Sequence, residues 1–450
     1  MIKIHANLEE ARATILLRPT GPPEYPAELL DRVERVFGES ITPEIAVSKV
    51  MEDVRDRGDD AVRDWSRRID GVAHDPLAIP VDEIEAAADK ISPELEGAFR
   101  MAAERIREYH SCQRVASWST REMGGVLGQR VVPLRRVGIY VPGGTAPLPS
   151  SLLMAAIPAQ VAGVRDIIVC TPPSLAGGSI SPAVLAVAHM IGIKVILRLG
   201  GAQAIAALTF GTREVQKVDK IVGPGGLFVT LAKKQAFGHV GVDGIAGPTE
   251  TVILADETAN PEWVAADLLA QAEHDILATA ILITPSRALA AAVQASVEQQ
   301  IEHLSRSDVI SQSLSNRGGI VLAPNVRTAV DIANEFAPEH LCLSVSDTDR
   351  WAGEIKNAGG LFLGERSFEV LGDYIAGPSH IMPTGGSARF ASPGNVLDYV
   401  KMMNIFQLDE ATSAQLSPLA ATLARSENLD GHAAAAMLRN SMDGDPEIPQ

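Results

Sequence analysis

The stretch Gln271-Ala-Glu-His-Asp275 closes the apolar run WVAADLLAQAEHD with four side chains able to bind a metal or carry a proton. Asn260-Pro261 is a helix-starting pair, and a helix from there sets Val264, Leu268 and Gln271 at i, i+4 and i+7 on one face. Gln271 thus extends an apolar stripe and needs a polar partner, and His274 is its neighbour across one turn. Glu273 lies about 200° round the helix from Gln271 and points away from whatever the other two share. Gln271 and His274 are therefore the metal-ligating candidates, with Glu273 and Asp275 structural. A catalytic zinc takes about three protein ligands and keeps a position open, so this pair has to be completed from elsewhere.

Three further constellations stand out. NEFAPEHLCL sets Glu339 beside His340 where a strand-like apolar run begins, two proton carriers at one strand end. GDYIAGPSHIMPTGG joins Asp373, Tyr374 and His380 in a Gly/Pro-punctuated loop, where carboxylate and imidazole could share a cation. SENLDGHAAAA places Glu427 and His432 where a helix starts near the end of the chain. Taken singly, each is also the pattern of an ordinary structural residue. His5, His74, His189, His239 and His303 have no second polar group at useful spacing and read as surface or satisfied core side chains, while His110 in EYHSCQR is ambiguous. Cys112, Cys170 and Cys342 form no CxxC pair, so neither a disulfide framework nor a thiolate zinc site is indicated. Cys170 ends the run DIIVC, a position open to a nucleophile, yet a buried small hydrophobe is the plainer reading.

The elements that must hold these groups follow from periodicity. Between 42 and 110 the chain reads as helices: Thr42-Pro43 starts one with Val47, Val50, Met51 and Val54 on one face, and Ser92-Pro93 starts another with Leu95, Phe99, Ala102, Ile106 and Tyr109 in register. From 136 short β-branched runs alternate with helical stretches, and a second alternating series begins at TETVILAD. Both series predict parallel sheets with helices on their faces. The expected fold is α/β, with two doubly wound, incomplete Rossmann-like parallel-sheet domains plus small helical amino- and carboxy-terminal segments. The expected boundaries are a segment 1–35, a discontinuous main domain 36–139 and 248–394, a second domain 140–247, and a helical tail 395–450 without strand signal. Glycine turns PGGTAP (142–147), GGAQA (200–204), GPGGLF (223–228) and AGPTE (246–250) fall at strand ends, where backbone amides and helix amino termini favour an anion such as a pyrophosphate. None spells GxGxxG or a P-loop.

At 450 residues and 46% apolar composition the chain can bury more than one core. Its formal charge of −17 argues against a nucleic-acid or anionic-membrane surface. Its amino terminus lacks a signal-peptide pattern and no apolar run approaches membrane-spanning length, so a cytoplasmic protein is expected.

These motifs, in this order, resemble the histidinol dehydrogenase family from RRVGIYVPGG to the end of the chain, and more loosely over the helical amino-terminal part. Matching segments include VDKIVGPG, AGPTETVILAD, DLLAQAEHD, APEHL, GDYIAGPSHIMPTGG and the final E-N-L-D-G-H. The resemblance implies an enzyme that oxidises L-histidinol through histidinal to L-histidine with two NAD and one zinc per subunit, in a homodimer of intertwined subunits with shared active sites. It implies zinc ligands Gln271, His274 and Asp373 from one subunit and the partner subunit's His432, with the substrate completing the shell. His340 would be the general base and Glu339 would activate water to hydrate the aldehyde. Thr249, His380 and Glu427 match substrate-contacting positions, alongside Gln271, His274, His340, Asp373 and His432. Tyr140, Gln203 and position 226 match NAD contacts, and Cys170 has no covalent role.

Two departures qualify the match. The family commonly carries asparagine where Gly226 stands, which leaves only backbone contacts to NAD there. Its usual SGTNH and SSGLSV are here AGPSH and ASPGNV, so the loop carrying His380 is expected to differ in shape. Paralogues oxidise other small polar alcohols such as sulfopropanediol; Tyr374 after Asp373, and Glu427 in the tail, favour histidinol. A zinc hydrolase using Glu339 as base would need no nucleotide, and the glycine turns count against it.

Overall fold

The computed structural model describes residues 2–18, 25–113, 115–143, 147–174 and 178–439. Part of the PGGTAP turn (144–146) and the last residues of the tail (440–450) therefore lie outside the described residues. The strands in chain order are β1 (Ile4–His5), β2 (Trp118–Thr120), β3 (Gly125–Pro133), β4 (Arg136–Tyr140), β5 (Asp166–Thr171), β6 (Val195–Arg198), β7 (Lys220–Val222), β8 (Gly241–Val242), β9 (Glu250–Ala255), β10 (Thr279–Thr284), β11 (Gly318–Leu322), β12 (His340–Ser344), β13 (Gly360–Leu363) and β14 (Val400–Leu408).

Among the described residues, two of the three sheets are wholly parallel and doubly wound, as the alternation predicts. One has the order β1-β11-β10-β9-β12-β13 and the other β6-β5-β4-β7-β8. Strand β9 shows why: every residue from Glu250 to Ala255 is buried. Ile253 and Ala255 enter one apolar cluster with the helix Pro261–Ala272, while Val252 and Leu254 enter another with the helix Val326–Phe336. Period-two side chains and two covered faces are what β-branched runs satisfy and a one-sided helix cannot. Strand order reverses between β9 and β12 in the first sheet and between β4 and β7 in the second, so each sheet has a switch-point crevice.

Helices that connect parallel strands run opposite to them. Helix carboxyl ends therefore collect at the amino edge of a sheet and helix amino ends at its carboxyl edge. The helix Pro261–Ala272 delivers Gln271 to the start of β10, and Val326–Phe336 delivers Glu339 to the start of β12.

Several expectations need correction. The chain after 395 contains β14, which pairs antiparallel with β3 over nine residues, from Val400 opposite Pro133 to Leu408 opposite Gly125. The run VKMMNIFQL is poor in β-branched residues and mostly exposed, so its conformation is decided by this long-range pairing and not by local preference. Residues placed with the main domain up to 139 also divide differently. The chain forms two compact units, Met1–Gln113 with Leu134–Tyr399, and Arg114–Pro133 with Val400–Gln450. The amino-terminal segment is not purely helical either, since β1 adds an edge strand beside β11. Of the early helices, Pro43–Arg57 buries its whole expected face, whereas Pro93–Ser111 buries Ala102 and Ile106 and leaves Leu95 and Tyr109 exposed.

Candidate active site

The starts of β9 and β12 lie side by side, with His340 opposite Thr251. There the peptide groups of Glu250 hold two consecutive side chains of the other strand. Its N–H donates to Glu339 Oε2 at 3.0 Å and its carbonyl accepts from His340 Nδ1 at 3.2 Å. Thr249 Oγ1 donates to the same Glu339 oxygen at 2.6 Å and accepts from Gln271 Nε2 at 3.0 Å. One chain of hydrogen bonds thus runs from Gln271 through Thr249 to Glu339. It orients Gln271, the Glu250 carbonyl fixes a proton on His340 Nδ1, and among the described residues the buried Gln271 Oε1 and His340 Nε2 have no hydrogen-bond partner. Buried polar atoms are rarely left unpaired, so these two are groups arranged for something that binds.

Two more carboxylates approach the imidazole from the six-residue helix Glu369–Tyr374. Glu369 Oε1 is 3.7 Å from His340 Nδ1, and Asp373 Oδ1 is 3.7 Å from Nε2, both charge contacts beyond hydrogen-bond length. Thr251 Oγ1 donates to Glu369 Oε2. Burial pushes the Glu339 carboxyl up to about 7 against the His340 charge and its two donors. Glu369 is raised in the same way. For His340, burial works against the imidazolium, but Glu369, Glu339 and Asp373 outweigh it and hold the ring's pKa above its ordinary value. Asp373 is raised by burial and lowered more strongly by His340, His380 and His274, so it is held below the usual carboxylate range. Glu369 was not among the sequence candidates, although its i, i+4 spacing from Asp373 on one short helix is a signal that could have found it.

The structure also refines the other candidates. The helix carrying Gln271 ends at Ala272, so His274 sits two residues past it, exposed, with its N–H on the Gln271 carbonyl at 3.3 Å. His274 nonetheless lies near enough to act electrostatically on Asp373 and His380. His380 does not face the Asp373 carboxylate as a shared-cation pair would. Its Nδ1 donates to the Asp373 carbonyl at 2.7 Å and its Nε2 accepts from Ser151 Oγ at 3.2 Å, which occupies both nitrogens. Cys170 and Cys342 are buried and burial raises both thiols, which suits inert core residues. Among the described residues no three His, Cys, Asp or Glu side chains converge as a metal cluster. Gln271 Oε1, the Asp373 carboxylate and the His274 imidazole are nevertheless the amide, carboxylate and imidazole donors that zinc accepts. Glu427 and His432 lie in the second compact unit, where both are exposed.

Tyr140 ends β4, and Gln203 is in the first turn of the helix Gly201–Phe210, both at the carboxyl edge of the five-stranded sheet. Both are buried: Tyr140 accepts from the Gly201 N–H at 3.2 Å, and Gln203 Nε2 donates to Asp70 at 3.0 Å. Among the described residues the helices Gly201–Phe210 and Leu227–Ala236 start at Gly200 and Gly226 with no side-chain cap, so apart from the Gly201 N–H, which Tyr140 takes, their first-turn amides suit an anion. Gly223 is required, since its φ is +110° and a Cβ would stand 2.2 Å from the Tyr140 carbonyl oxygen. Gly226 is not: its φ is −66° and a Cβ would meet nothing within 4 Å.

A tautomer-fixed imidazole, a buried carboxyl brought near neutrality and uncapped helix starts on a second parallel sheet define a proton-transferring α/β enzyme. A sequence model of the family described as histidinol dehydrogenase matches residues 37–440. The histidinol dehydrogenase of Deinococcus radiodurans is 48% identical over 432 residues, covering 96% of this chain and 98% of its own. That of Geobacillus kaustophilus is 47% identical over 395 residues, covering 88% and 93%. The crystal structure of histidinol dehydrogenase from Elizabethkingia anophelis matches with a TM-score of 0.88 at 35% identity, covering 97% of this chain and 98% of that one. The chain belongs to the histidinol dehydrogenase family and is an oxidoreductase.

The hydrogen-bond chain from Gln271 to Glu339 yields a direct expectation. Thr249→Val keeps the volume and removes both bonds, so turnover should fall by roughly 10–100-fold with the unfolding transition unchanged in cooperativity. Steady-state kinetics beside circular-dichroism melts check this, and undiminished turnover would refute it.

Proposed function

We propose that the chain is a zinc- and NAD-dependent histidinol dehydrogenase, oxidising L-histidinol through histidinal to L-histidine in a cytoplasmic homodimer with shared active sites. The observation that carries this reading is the presence of two proton acceptors with separate settings on adjacent residues. His340 presents an unpartnered Nε2, and Glu339 is a buried carboxyl at about 7. A four-electron oxidation needs both. In the first oxidation His340 Nε2 takes the alcohol proton as the carbon loses hydride. Glu339 then takes a proton from the water whose oxygen adds to the aldehyde, and the hydrate so formed loses the second hydride. When bound, NAD would supply the hydride acceptor and zinc would hold the substrate in place.

Gln271, His274 and Asp373 would hold that zinc, with the partner subunit's His432 as the fourth protein ligand. His340 is less biased toward the imidazolium once the Asp373 carboxylate is bound to a cation, which suits a base. Thr249, His380 and Glu427 are assigned to substrate, and Tyr140, Gln203 and the backbone of Gly226 to NAD. The second unit supports subunit exchange. It exposes Phe406, Leu419 and Leu423 by 78%, 60% and 67%, more apolar surface than a solitary chain ordinarily shows to water. Among the described residues no helix is long and apolar enough to cross a membrane.

The decisive assay supplies histidinol and NAD and reads about two NADH per histidine formed, as the four-electron chemistry requires, with activity lost to a chelator and restored by zinc. A zinc-loaded protein inert toward histidinol yet active on another small polar alcohol would reject the substrate assignment. Shared sites have their own test. Mixing inactive His274→Ala and His432→Ala subunits should restore up to about a quarter of parental activity, because half the dimers are mixed and each has one intact site; no recovery from subunits shown to exchange argues for self-contained sites. Since a side chain fits at 226, Gly226→Asn should tighten NAD by roughly 3–10-fold through one added hydrogen bond, read as a lower KM for NAD.

A further inference from the structure

We propose that Arg18 is a positioning residue for the Glu339–His340 pair, acting through Glu250 and the end of the helix Val326–Phe336; the inference rests on the reading of that pair as the proton acceptors. Arg18 belongs to the amino-terminal segment and is remote in sequence from every site residue. Its guanidinium makes a two-pronged contact with the Glu250 carboxylate, Nη1 to Oε1 and Nη2 to Oε2, the second at 2.8 Å. It also donates to the Phe336 carbonyl, from Nε at 3.2 Å and Nη2 at 2.9 Å, and its Cζ stands 3.6 Å from the centre of the Phe336 ring. The ion pair is largely buried, at 22% and 6% side-chain exposure.

Both segments held by Arg18 adjoin the catalytic pair. Glu250 supplies the N–H that fixes Glu339 and the carbonyl that fixes the His340 tautomer. Phe336 is followed by Ala337 in the left-handed region at φ 51°, then Pro338, then the pair itself. One guanidinium therefore sets the distance between the β9 start and the turn that feeds β12. Removing it leaves the buried Glu250 carboxylate unpaired and frees both anchors at once. Lysine keeps the charge but not the planar fork, so it can meet only some of these contacts.

The test uses full-length, zinc-loaded enzyme carrying Arg18→Ala, Arg18→Lys, Glu250→Gln or the Arg18→Ala/Glu250→Gln pair, with His340→Ala alongside. Melting curves establish that each variant is folded at the assay temperature. Misplacement of reacting groups by about 1 Å lowers turnover by up to about 100-fold, so kcat should fall by roughly 10–100-fold for Arg18→Ala. KM for histidinol and NAD should stay within about threefold and zinc content should be unchanged. Arg18→Lys should recover part of kcat, and the double variant should be no worse than the weaker single, because both changes break one linkage. Arg18→Ala with kcat within about threefold of parent, or a loss expressed only in KM or zinc content, overturns the proposal while His340→Ala is inactive. An active His340→Ala overturns the underlying reading instead. Should Arg18→Ala not fold, Arg18→Lys and Glu250→Gln decide by the same split between kcat and KM.

Discussion

A carboxylate taken out of water must be met by donors or by positive charge, and the amino edge of the six-stranded sheet carries Glu250, Glu339 and Glu369 buried with Asp373 nearly so. Much of the local architecture answers that requirement. Arg18 meets Glu250; Thr249 and a peptide N–H meet Glu339; Thr251 meets Glu369; His340 stands among three of the four. Helix carboxyl ends converge on the same edge and add partial negative charge. An edge so built favours a cation and raises the affinity of nearby bases for protons.

The other parallel sheet presents the opposite polarity. Its carboxyl edge gathers uncapped helix amino ends and glycines, which attract an anion and let backbone approach it. Strand direction gives each parallel sheet one edge that suits a cation and one that suits an anion, and the side chains at each edge decide which is used. Open α/β sheets ordinarily bind at their carboxyl edges, so the chemistry proposed for the six-stranded sheet would use the less common end.

How much of this was legible in sequence depended on the range of the interaction responsible. Gln271 was visible because a polar residue broke an apolar stripe, and Glu339–His340 because two proton carriers stood where a strand begins. His274 was expected beside Gln271 across a helical turn, but the helix stops at Ala272 and leaves His274 exposed, and the Gln271 amide meets Thr249 instead. Glu369 was passed over because its apolar neighbours disguised a short helix as loop. Strand β14 was read as helix because its partner β3 lies far back in the chain. Arg18 carried no local mark at all, and neither did Asp70, whose pairing with Gln203 joins a helix end to the other sheet. The family resemblance supplied site assignments that spacing alone left open, but not these supporting contacts.

The position of β1 and Arg18 also bears on how the protein is made. The segment carrying β1 and Arg18 is synthesised well before its partners, since β1 pairs with β11 and the Arg18 contact to Phe336 spans 318 residues. Such closures come late, because the intervening chain must be ordered before they repay their entropy. This segment, made before its partners, is thus among the last to settle. A partly folded chain can thus pair β9 with β12 before Arg18 reaches Glu250, so assembly of the sheet and acquisition of activity should be separable in time.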